Sequence, residues 1–112
     1  MSRESIIRFQ IWLHCYLNDI HLTKYKLDCL TVLGLQGECE LGEFCKMMVD
    51  KQIFTSVEST RNTLTDIQDK KLVVKRGEYR KMISLHPDMK IQTNGNIWVD
   101  IDMLYREQVN AR

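Results

Sequence analysis

The sequence predicts an α+β domain in which helices come first and β-hairpins close the chain. Two observations carry that prediction. Apolar residues recur at helical spacing through most of the first 70 positions, including Leu41, Phe44, Cys45, Met48 and Val49 and then Val57, Thr60, Leu64 and Ile67. Directly after them, Leu72-Val73-Val74-Lys75-Arg76-Gly77-Glu78-Tyr79-Arg80-Lys81-Met82-Ile83-Ser84-Leu85 reads as strand, turn, strand. A helix, a second helix and a basic hairpin in that order are the parts of a winged helix-turn-helix.

The elements follow in chain order. Residues 4–18 carry Ile6, Phe9, Leu13, Tyr16 and Leu17 as a helical stripe, and Ile7, Ile11 and Trp12 widen it. A helix apolar on so many sides is deeply buried or shared with a partner, so Ile7, Ile11 and Trp12 are expected at a protein interface, either with another protein or in a homodimer. A strand through residues 6–9 fits the same short run. Thr23 is placed to cap a helix whose Leu27, Leu30, Val32 and Leu33 face inward and which ends before Gly34 or Gly37. A third helix, carrying Leu41 and Phe44, stops near Lys51-Gln52. Thr55-Ser56-Val57-Glu58 has the form of a capping box, with Thr55 as N-cap and Glu58 reaching back. The helix it opens ends at Lys70-Lys71, cations suited to a helix C-terminus.

His86-Pro87-Asp88 breaks the last strand of the hairpin, because Pro donates nothing to a ladder. An additional C-terminal β-hairpin is expected from residues 89–92 and 97–101, joined by Thr93-Asn94-Gly95-Asn96. Asp102 is placed to cap a short terminal helix. The whole of 1–112 reads as a single winged-helix domain: an apolar N-terminal helix over 1–20, helices and wing over 23–85, and the second hairpin over 89–101.

Composition excludes several classes. A 44% hydrophobic, 28% charged chain with net charge +1 is an ordinary folded protein, neither a disordered tail nor strongly basic. Charge is uneven, however. Residues 1–54 hold six Lys/Arg against seven Asp/Glu, and residues 55–112 hold ten against eight. The excess gathers at Lys70, Lys71, Lys75, Arg76, Arg80 and Lys81. Arg8, His14 and Asn18 interrupt the apolar N-terminus, so no secretory signal is expected, and no run is long enough to span a bilayer. Cys15, Cys29, Cys39 and Cys45 lie 14, 10 and 6 residues apart without a close pair, which suits free thiols in an intracellular, cytoplasmic protein. A metal site or thiol sensor at Cys39 is the alternative. Asp100 and Asp102 share a strand face, either solvated or a divalent-ion site. No phosphate loop or nucleophile–base arrangement is visible, so neither catalysis nor a cofactor is expected.

The stretch 23–87 resembles the winged-helix proteins of the MarR type. The likeness rests on Leu22-Thr23 opening the first core helix and on Glu40-Leu41-Gly42-Glu43-Phe44 opening the second. It continues through a Ser/Thr-rich helix from Ser56 into Leu72-Val73, and a basic wing ending in Ile83-Ser84-Leu85. It implies an intracellular protein that binds duplex DNA, a transcriptional regulator or replication factor. Two departures stand out: Lys71 occupies the place of a usual Gly, and the region 89–101 replaces long C-terminal dimerisation helices. With Val57, Thr60, Leu64 and Ile67 inward, Glu58, Ser59, Asn62, Thr65, Asp66 and Asp69 face outward. Ser56, Ser59, Arg61 and Asn62 are the expected groove-facing residues, and Lys75, Arg76, Arg80 and Lys81 the expected phosphate contacts. The three carboxylates weigh the other way, since they are repelled by phosphates. The same hairpin also suits a solvated edge or an acidic protein partner. The alternative function is a winged-helix module for protein–protein assembly in a polymerase complex, a replication complex or a virus particle.

Overall fold

The computed structural model describes residues 2–93. These form four helices and a three-stranded antiparallel sheet: α1 (Arg3–Leu17), α2 (Lys24–Gln36), β1 (Cys39–Glu40), α3 (Leu41–Asp50), α4 (Val57–Asp69), β2 (Val73–Arg76) and β3 (Met82–Leu85). One 3-10 turn follows at Pro87–Met89. The fold is α+β, and its element order is compatible with a winged helix-turn-helix.

Each helix start has a local chemical cause. Thr23 caps α2 as expected, its Oγ1 accepting from the Lys26 N–H at 3.2 Å. For α4 the cap lies one residue later than the capping-box reading, at Ser56 instead of Thr55. Ser56 Oγ accepts from the Ser59 N–H at 3.0 Å and donates to Ser59 Oγ at 2.9 Å. Thr55 and Ser56 are chemically similar caps, so the choice falls to packing: Ile53 and Phe54 lie against the core and set where the chain turns.

The helix ends share one device. α1, α3 and α4 each close with a left-handed residue that is not glycine: Asp19 at φ 56, Gln52 at φ 60 and Lys71 at φ 60. The next N–H reaches back to the last turn, from Ile20 to the Cys15 carbonyl at 2.8 Å, Ile53 to Met48 at 3.0 Å and Leu72 to Ile67 at 2.9 Å. This is the Schellman closure, and an apolar residue follows the turn each time. Lys71 therefore takes a left-handed backbone conformation that a glycine would adopt without strain.

Strand order in the sheet is β1-β3-β2. The hairpin β2–β3 forms as the strand-turn-strand reading expects, pairing Val73 with Leu85 and Arg76 with Met82. β1 pairs Cys39 with Ile83 and Glu40 with Met82. A strand of two residues has no period to read, so the sequence does not mark it.

The core is assembled from every element, with Ile7, Ile11, Leu30, Phe44, Met48, Leu64, Ile67, Leu72 and Ile83 all fully buried. Ile7 and Ile11 are therefore core residues and not the partner interface expected of them. α2 is what covers them. Gly34 lies so close to α1 that a Cβ there would stand 2.8 Å from Ile7 Cγ2 and 3.1 Å from Leu85 Cδ1. Conversely Phe9, Tyr16 and Leu17 of the helical stripe are exposed, as is Trp12.

Residues 89–92 are not a strand. Met89 ends the 3-10 turn, and Lys90 is left-handed at φ 53. The segment docks on α1 instead, where the buried Gln10 side chain donates to the Gln92 carbonyl and accepts from the Gln92 N–H, both at 2.8 Å. A carboxamide here supplies the pairing that a neighbouring strand would have given. The expected strand 97–101, the cap at Asp102 and the Asp100–Asp102 face lie outside the described residues.

Candidate nucleic-acid interface

The outer side of α4 is a ridge of Glu58, Arg61, Asn62, Thr65 and Asp69, all exposed. Thr60, Leu64 and Ile67 bury the opposite side. Ser56 and Ser59 are only half-exposed, and their hydroxyls are paired with each other in the cap. They hold the start of the helix in place and offer less to a groove than Arg61 and Asn62. Thr65 Oγ1 donates to the Arg61 carbonyl at 3.1 Å.

Asp66 does not stand free on this ridge. Its Oδ2 accepts from Lys26 Nζ at 2.6 Å and from Lys70 Nζ at 3.2 Å. The hydrogen bond from Lys26, then that from Lys70, holds its carboxyl below the ordinary aspartate range. One of the three carboxylates counted against an anionic partner is thus neutralised within the fold. Glu58 and Asp69 remain exposed at the two ends of the ridge, with Arg61, Asn62 and Thr65 between them.

The hairpin cations do not form one patch. Cross-strand partners share a face, so Lys75 lies on the side of the fully buried Ile83 and Arg76 on the opposite side with Met82. Burial raises the pKa of the Cys45 thiol, and Arg61 and Lys75 partly lower it. Arg80 approaches Glu43 of α3 at 4.0 Å, an exposed pair, and Lys81 Nζ donates to the Gly77 carbonyl at 2.8 Å. Gly77, at φ 99, makes that turn possible, since a Cβ there would lie 2.2 Å from the Arg80 carbonyl oxygen. Tyr79, at the tip, is 99% exposed. Arg61 and Asn62 thus share the exposed ridge of α4, Lys75 and Arg76 lie on opposite faces of the hairpin, and Lys81 is tied into its own turn.

Lys26 is the contributor that sequence reasoning missed. It lies 40 residues from Asp66, and no local pattern links them. The thiols have little nucleophilic character: burial pushes Cys15 up to about 11 and Cys29 up to about 12, and also raises Cys39. Among the described residues no group of His, Cys, Asp or Glu is placed to hold a metal ion, and no helix is long and apolar enough to cross a membrane.

Comparison of the chain with protein-family models, with curated proteins and with solved structures gave no match.

Proposed function

We propose that the protein is a winged helix-turn-helix that binds duplex DNA, as a transcriptional regulator or replication factor. In this reading α3 and α4 form the helix-turn-helix, α4 lies in the major groove and the β2–β3 hairpin is the wing. The supporting observation is the exposed run Arg61–Asn62–Thr65 on α4, with Asp66 withdrawn into its two lysines. Arg and Asn are the side chains whose paired donors and acceptors fit guanine and adenine edges. Lys75, Arg76 and Arg80 supply phosphate contacts, which carry most of the affinity. The MarR-type likeness of residues 23–87 belongs to the same proposal, and no catalytic role is part of it.

Selection of duplexes from a randomised pool tests the reading. Enrichment of a sequence that Arg61→Ala and Asn62→Ala no longer distinguish, each losing about 1–3 kcal/mol of discrimination, supports it. A pool that shows no retention at low salt overturns it.

A second reading, a module for protein assembly, draws on the exposed Glu58 and Asp69 and on a net charge of only +1. Purification from the native source followed by nuclease separates the two, since assembly partners survive digestion.

A further inference from the structure

α1 turns one side away from the fold, and that side is aromatic. Phe9, Trp12 and Tyr16 are 37%, 47% and 65% exposed. Their rings lie in a row, with centroids 6.3 Å apart for Phe9–Trp12 and 5.2 Å for Trp12–Tyr16. Leu17 and, on α2, Tyr25 are exposed as well. At about 150–250 Å² per aromatic side chain and roughly half exposure, the four rings leave about 300–500 Å² of surface per chain. That is the size of the largest apolar surface on a typical monomer, which is often functional.

The shape and charge of this face select its occupant. Trp12 borders two hollows that share Leu27 as a wall. One runs toward the start of α1, with Ser5, Arg8 and Phe9. The other runs toward its end, with Cys15, Tyr16, Asp19 and Ile20. A knob between two hollows complements a copy of itself, because each Trp12 then enters a hollow of the other chain. The ends carry opposite charges, Arg8 (held on one side by Asp28) and the almost fully exposed Asp19. Antiparallel helices set Arg8 against the partner's Asp19, whereas parallel ones set like against like.

We propose that a second copy of this chain docks here, with the two α1 helices antiparallel about a two-fold axis near Trp12. The inference is independent of the nucleic-acid reading. The rings alone bury about 600–1,000 Å² in total, below the roughly 1,200 Å² at which stable specific interfaces begin, so the dimer is weak and forms and dissociates with concentration.

Sedimentation equilibrium on the full chain tests this, with Trp12 emission followed in a Trp98→Phe variant whose mass profile is checked against wild type. The expected result is a mass rising from 13.3 kDa toward twice that value, with a blue shift of Trp12 emission over the same concentrations. Trp12→Ser and Tyr16→Ser, each retaining the wild-type circular dichroism, weaken association at least tenfold, and Tyr79→Ser leaves it unchanged. A monomer at every concentration overturns the proposal, whether its Trp12 emission reports water or is already blue-shifted by residues 94–112 of the same chain. Association that survives both serine variants overturns it too.

Discussion

Lys26 Nζ lies 2.6 Å from Asp66 Oδ2, which ties the first turn of α2 to the outward side of α4. The pair has two consequences. It braces the candidate recognition helix against the helix beneath it, and it removes a carboxylate from the surface proposed to meet phosphates. Asp66 is 42% exposed and Lys70 shares it, so each bridge contributes no more than about 0.2–1 kcal/mol to stability.

Asp66→Asn is therefore expected to cost little stability and to raise duplex affinity a few-fold, because Lys26 and Lys70 are released. The pH dependence has a definite sign. The folded-state pKa is depressed, so the contribution is present above the ordinary aspartate value and is lost as pH falls through the lowered one. Urea unfolding should show a gap between wild type and Asp66→Asn that begins to close below about pH 4. Reduced duplex affinity in the variant would contradict the withdrawal of Asp66 from the contact.

Gly34→Ala tests why Ile7 is buried by α2. Ala is the better helix former by about 1 kcal/mol, but its Cβ would stand 2.8 Å from Ile7 Cγ2, a fully buried atom with nowhere to swing. Net destabilisation of about 1–3 kcal/mol by thermal or urea unfolding is expected, shrinking in an Ile7→Ala background. A stabilised Gly34→Ala would show that the helices are not in such close contact.

Lys71→Gly should stabilise the protein. Lys71 holds φ 60, where a side chain costs roughly 1 kcal/mol that glycine does not incur, and glycine's larger freedom when unfolded offsets only part of this. A midpoint of unfolding raised by up to about 1 kcal/mol equivalent is the expected outcome. A lowered midpoint would mean that the Lys71 side chain makes a stabilising contact exceeding the backbone strain.

Much of the fold was readable because its signals are local. The Thr23 cap, the α3 stripe and the strand-turn-strand run of β2–β3 each lie within a few residues of the structure they specify. The misreadings share the opposite property. α1 is apolar nearly all round, so its own pattern does not say which side faces α2: of the three residues expected at an interface, Ile7 and Ile11 are buried and only Trp12 is exposed. Residues 89–92 have strand composition, but their pairing partner is the side chain of Gln10, 82 positions away. At the candidate site, the exposure of Asn62 and Thr65 was legible from the helical wheel, which left Arg61 off its outward face although it too is exposed. The clamp on Asp66 was not legible, because a lysine 40 residues distant carries no sequence signal until the chain is folded.

The most direct test of duplex binding by this surface is fluorescence anisotropy over a salt series with one labelled duplex. Wild type should bind with affinity that falls linearly on a log–log plot. Lys75→Ala, Arg76→Ala and Arg80→Ala should each weaken binding and make the slope shallower by about 0.9, one phosphate contact apiece. Unchanged affinity and slope in the combined Lys75, Arg76 and Arg80 alanine variant would contradict the assignment of the hairpin as a DNA contact, and no wild-type binding at low salt would contradict the function itself.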